Sequence, residues 1–156
     1  MASIVSVANA AATRIGTASR ITSLDDNRTV ARTLKSVWDI ERQAAIRDGS
    51  WNFAAKRAQL AAVVDPALVI YPWTYGYELP ALALRLIEVL DQKLGPDYQL
   101  EGRVILSNQT APLNIRYSID KPELAEWDAL AAAAFALRLA FRCGHKIAGS
   151  AFDKQA

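Results

Sequence analysis

The stretch that constrains this chain most is PELAEWDALAAAAFALRLAFRCGHKIA, residues 122–148. It is built almost wholly of strong helix formers, and Pro122 directly after Lys121 suits the first turn of a helix. The pattern predicts one long helix from about Pro122 to Ala148. At 100° per residue, Leu124, Trp127, Leu130, Ala131, Ala134, Leu137 and Phe141 spread over most of its circumference, leaving a narrow polar stripe of Asp128, Arg138, Arg142 and Lys146. A helix so nearly apolar all round must be covered on several sides. In a chain of 156 residues, part of that cover can come from a second copy. The run LAAAAFAL also lets neighbouring helices approach closely, because alanine adds little width.

Two further helices are predicted ahead of it. Ile4, Ala8, Ala11 and Ile15, broadened by Val5 and Ala12, recur at helical spacing, and Gly16 follows where a left-handed C-terminal cap is easiest. The segment TASRITSLDDN is rich in turn formers, and Asp25 or Asp26 can accept hydrogen bonds from the first amides of a helix beginning near Asn27. That second helix runs to about Asp48 and Gly49. It separates into a core face of Val30, Leu34, Val37, Trp38 and Ala45 and a basic face of Arg28, Arg32, Lys35 and Arg42, with Asp39 among them. Glu41 falls in the middle of the apolar face, so it is expected to meet a partner charge or a neighbouring subunit instead of a dry core.

Between the second and third helices the texture changes. KRAQLAAVV, YPWTYGYELP, LRLIEVL, YQLEGRVILS and PLNIRYSID are short runs of β-formers separated by Pro, Gly and Asp. They predict four or five strands, mostly antiparallel, with a tight hairpin turn at Glu101-Gly102. Trp51 and Phe53 are placed at the junction of helices and strands. The expected fold is α+β: a single domain over 1–156 in which 1–50 and 121–150 form a helical bundle, 51–120 an inserted small antiparallel sheet, and 150–156 a short C-terminal tail.

Composition excludes several function classes. One cysteine, Cys143, rules out an internal disulfide framework and a Cys-rich zinc site, and points to synthesis in a reducing compartment. The N-terminal residues lack the basic start and unbroken apolar run of a signal peptide, and no run is long and apolar enough for a membrane span. A formal charge of +2 is too small to make the whole protein a polyanion binder, although basic side chains concentrate between Arg28 and Leu60. The stripe Arg28, Arg32, Lys35 and Arg42 is either a solvated face or a surface toward nucleic acid; no aromatic residue interleaves with it, so base stacking is not expected.

Catalytic chemistry finds little purchase. His145 has no second histidine to join it, and reads as a helix-end residue favoured by the negative end of the helix dipole. Cys143 reads as an inert thiol, and Glu78, Glu88 and Glu101 as exposed strand acids whose spacing singles out no pair. No phosphate-binding glycine loop or nucleophile elbow occurs in the sequence. No catalytic residue, metal or cofactor is expected. Tyr71, Trp73, Tyr75 and Tyr77 cluster around Pro72 and Gly76; such aromatics either close a core or form a protein-docking loop.

The order of these segments resembles a known family. ITSLDDNRTVARTLKSVWDIERQAAIRDGSWNFAAKRAQL is similar to the opening of bacteriophage head-to-tail adaptor proteins of the tail tubular protein A type. YELPALALRLIEV and LEGRVILSNQTAPLNIRYSID resemble that family's later strands and hairpin, ahead of its Ala-rich helix. The resemblance spans nearly the whole chain. It implies a structural protein of the virion neck with no enzymatic activity: a homo-oligomeric ring, about twelve copies, docked between the portal protein and the tail or nozzle protein, with double-stranded genomic DNA passing non-specifically through its lumen. The neck ring of a long-tailed phage or of a gene transfer agent is the nearest alternative, and a small nucleic-acid-binding module a more distant one. On the adaptor reading, Arg28, Arg32, Lys35 and Arg42 face the channel, and Tyr71, Trp73, Tyr75 and Tyr77 meet a partner protein. Glu41, Leu130, Ala134, Leu137, Phe141, Arg138 and Arg142 lie between subunits. Members of the family continue past the Ala-rich helix toward the portal, whereas this sequence closes on AGSAFDKQA, so portal contact is expected through a short tail or through the helical face directly.

Overall fold

A computed structural model describes residues 1–69, 71–90 and 97–152. The fold is α+β, with helices α1 (Ile4–Ile15), α2 (Thr29–Asp48) and α3 (Ala129–Ala148) and six strands among the described residues. The chain divides into two compact units, one of Met1–Phe53 with Lys121–Ala156 and one of Ala54–Asp120. The boundaries of these units fall within a few residues of the helical and strand regions read from the sequence.

In the helical unit, α3 packs on both α1 and α2. Helix α1 opens with a reciprocal capping box, in which Ser3 and Ser6 each accept from the other's backbone amide, and closes at Gly16 with φ 84°. Its buried side is Val7, Ala8, Ala11, Ala12 and Ile15, while Ile4 projects. Asn9 reaches the connecting segment: its side-chain amide donates to the Ile21 carbonyl at 2.9 Å and its oxygen accepts from the Ile21 amide at 3.0 Å.

Helix α2 starts at Thr29, two residues later than expected, and neither aspartate caps it. Asp26 accepts instead from the Thr22 and Ser23 amides, and Asp25 pairs with Lys35. The Thr22 amide in particular holds the Asp26 carboxyl below the usual carboxylate range. The side of α2 that carries Leu34, Trp38 and Ile46 is buried, and Trp38 meets Phe135 of α3 edge-on at 5.0 Å.

Helix α3 begins at Ala129, not at Pro122. Leu124–Glu126 form a separate 3-10 turn, and the Asp128 carboxylate accepts from the Leu130 amide, which starts the helix there. Asp128→Ala is predicted to cost about 1 kcal/mol in a thermal or urea melt. Beyond α3 the chain turns back through Gly149–Ala151, and Phe152 lies 5.9 Å from the His145 ring, so the start of the expected tail is folded; residues 153–156 lie outside the described residues.

The second unit is a small sandwich of two three-stranded antiparallel sheets, in orders β1-β6-β3 and β2-β5-β4. The strands are β1 (Ala55–Leu60), β2 (Tyr75–Glu78), β3 (Ala83–Val89), β4 (Tyr98–Glu101), β5 (Val104–Ser107) and β6 (Leu113–Ile119). Tyr77 and Ile105 from one sheet and Leu86, Val89, Leu113, Ile115 and Tyr117 from the other fill the core between them. The β4–β5 hairpin turns on Gly102-Arg103, one residue later than expected, because Glu101 and Val104 are paired. Gly102 takes φ 59°, which the first central position of a primed hairpin turn requires. Arg103 then ties the hairpin to the approach of β3, its guanidinium donating to the carbonyls of Pro80, Ala81 and Ala83.

Candidate subunit interface

Helix α3 buries Ala131, Ala132, Phe135, Ala136, Leu139, Ala140 and Cys143. Among the described residues, the opposite flank is left uncovered. Leu130 is 68% exposed, Leu137 44% and Phe141 76%, with Ala134 half-buried between them. Their 4-3-4 spacing puts all four on one stripe, the spacing with which helices pack against helices. On α2, Ile40 stands 70% exposed.

Beside the stripe lies a charged cluster. Glu41, only 4% exposed, accepts from the Nε of Arg138 and the Nε of Arg142, each at 2.8 Å, and Arg138 also bonds Asp48 through Nη1. The two arginines are one turn apart on α3, so both can reach one carboxylate, one per oxygen. Phe141 shares an open cavity of about 440 Å³ with these three residues. The expectation that Glu41 meets a partner charge is thus met inside the chain, which corrects its placement as a contact between subunits.

The basic face of α2 also needs correction. Arg42 is buried at 7% exposure and bonds Asp39 at 2.5 Å, whereas Arg28, Arg32 and Lys35 are exposed. Arg42 lies four residues after the buried Trp38, about 40° round the helix, so its stem falls inside the covered arc. The exposed three have local partners: Arg28 donates to the Arg20 carbonyl, Arg32 to Asn27, and Lys35 pairs with Asp25.

The aromatic segment divides in the same way. Strand alternation turns Tyr75 and Tyr77 to the inner side of their sheet; Tyr77 is fully buried and donates its hydroxyl to the Gln109 carbonyl. Burial pushes the Tyr77 phenol above its usual range. Trp73 is half-buried, and Tyr71 is 93% exposed.

No family model matches the chain, and no curated protein matches it.

The groups considered for chemistry are held apart. Glu78 and Glu101 flank Val104 on the two outer strands of one sheet, about 10 Å apart at two strand spacings, while Glu88 belongs to the other sheet and pairs with Arg116 at 2.9 Å. Among the described residues, no cluster of three His, Cys, Asp or Glu side chains has metal-binding geometry, and no helix is long and apolar enough to cross a membrane. Cys143 is 1% exposed, its thiol 3.9 Å from the Thr33 carbonyl. Burial, and then the Glu41 charge, push its pKa up, with Lys146 and Arg142 pulling the other way.

Two consequences follow for Cys143. The folded chain should resist thiol reagents at pH 8 until denaturant is added, as a dithionitrobenzoate time course would read out. Its neutral form is favoured in the folded state, so the stability it contributes is complete below the unfolded thiol's pKa of about 8.5 and is lost as pH rises above that toward the folded value.

Trp51 and Phe53 were expected as a wedge at the junction. Within the helical unit they begin a ring ladder: Trp51 stacks on Phe53 at 6.2 Å, Phe53 on Trp127 at 5.0 Å, and Trp127 leans on Phe135 at 5.5 Å.

Proposed function

We propose that this protein is a non-catalytic ring subunit of a phage or phage-like particle, an adaptor seated between the portal and the tail. About twelve copies stand side by side around an axis. The observation that carries this reading is the α3 stripe of Leu130, Ala134, Leu137 and Phe141, large apolar surface left exposed on one flank of a helix whose other flank is fully packed. Contiguous exposed apolar surface of this kind marks an association site, and strongly apolar contacts are characteristic of permanent assemblies.

The fold read as a helical bundle carrying a small inserted sandwich suits such a part. The helical unit supplies an apolar face for the contact between copies, and the sandwich presents loops, Tyr71 foremost, to the next component. The arrangement of Glu41, Arg138 and Arg142 gives the contact face a fixed polar border with an excess of positive charge. On this reading DNA passes through the lumen past Arg28, Arg32 and Lys35, whose local partners keep the field mild and the contact free of sequence. Arg42 is not part of that lining.

Co-sedimentation with isolated portal rings tests the reading. The chain should pellet with the rings at a ratio near one copy per portal subunit, and Leu137→Asp should abolish it. A chain that stays in the supernatant as a monomer or dimer and binds double-stranded DNA tightly, with a steep dependence on salt, is a nucleic-acid-binding module instead.

A further inference from the structure

A ring needs head-to-tail contacts, in which one patch of each copy meets a different patch of the next. The sandwich unit holds a candidate for that second patch. The connection from β1 to β2 and the end of β2 border an open cavity of about 520 Å³, walled by Leu60, Val63, Val64 and Leu68, with the carboxylates of Asp65 and Glu78 also lining it. Val64 is 96% exposed and Leu68 37%. Apolar walls of this size, bordered by acids, suit one bulky ring accompanied by a cation.

The α3 stripe carries that combination. Phe141 is its most exposed member, and Arg142 follows it directly with its side chain 64% exposed. Arg142 bonds Glu41 through Nε, one of the five N–H donors of a guanidinium, so its outer edge can serve a second carboxylate. We infer, on the basis of the ring reading above, that Phe141 of one copy inserts into the Val63–Val64–Leu68 cavity of the next, with Arg142 facing Asp65 and Glu78. The knob is apolar and cationic, and the hole apolar and anionic. A two-fold pairing of stripe on stripe would instead stop at two copies.

Phe141→Asp and Val64→Arg test the contact, since each side chain faces solvent in the single copy and neither change removes a packed group. Each variant alone should assemble at least tenfold less than the unaltered chain, by sedimentation velocity, alone or on a portal ring. Mixed, they should form a one-to-one complex and go no further, because the intact Phe141 of V64R meets the intact cavity of F141D while the other two patches are blocked. A chain carrying both Phe141→Cys and Val64→Cys should give an oxidised ladder of several copies on a non-reducing gel. Two variants that assemble like the unaltered chain, a mixture that stays monomeric, or a Phe141→Cys chain that oxidises to dimers only, overturns the contact while leaving the ring itself standing. An unaltered chain that assembles neither alone nor on a portal ring overturns both.

Discussion

Replacing Arg138 and Arg142 together with methionine should lower the stability of the helical unit by about 3–5 kcal/mol, while Glu41→Met should change it by less than about 1 kcal/mol. The asymmetry comes from where the three side chains lie. The Glu41 side chain is 6% exposed, whereas those of Arg138 and Arg142 are 38% and 64% exposed. With the carboxylate gone, both arginines can turn to water, and a methionine fills the space of the lost stem. With both arginines gone, a buried carboxylate loses the bonds that compensate its desolvation. Urea melts followed at 222 nm, where the helices dominate, should give this order, and equal losses from the two changes would contradict it.

The second large effect is at Phe135, which is fully buried at the meeting of Trp38 and Trp127. Phe135→Ala removes a ring that both indoles contact and leaves a cavity flanked by the rigid ladder from Trp51 to Trp127, so the surroundings can collapse only in part. A loss of about 3–5 kcal/mol is expected, together with weakened near-ultraviolet dichroism from the tryptophans. Phe135→Leu, which retains most of the volume, should cost about half as much.

Helical periodicity made much of the helical unit legible in advance. The bounds of α1, the end of α2 and the long third helix can all be read from residue spacing, because spacing is a local property. The start of α3 was not legible in that way. Pro122 and Asp128 are both good N-terminal residues, and the choice went to Asp128, whose carboxylate reaches the Leu130 amide. Spacing also set Glu41 on the apolar face, in want of a partner charge or a neighbouring subunit; that a charge on α3 of the same chain meets it depends on how two helices nearly a hundred residues apart are set against each other. The roles of Asn9 and Arg103 were hidden for the same reason, since each binds backbone carbonyls in segments that only folding brings near. The strands were visible as runs, but their division into two sheets follows from non-local pairing, which places β6 between β1 and β3. In the aromatic segment, Tyr77 lies within β2, where alternation turns it into the core, whereas Tyr71 precedes the strand and stays outside.

The apolar flank of α3 is the point on which the proposed ring stands, and an image of the particle neck that resolves helices addresses it directly. The account predicts a closed ring of about twelve copies in which the Leu130–Phe141 stripe of every copy is covered by its neighbour. A neck in which that flank of α3 faces open solvent, or in which the chain occurs without a repeated neighbour, would contradict it.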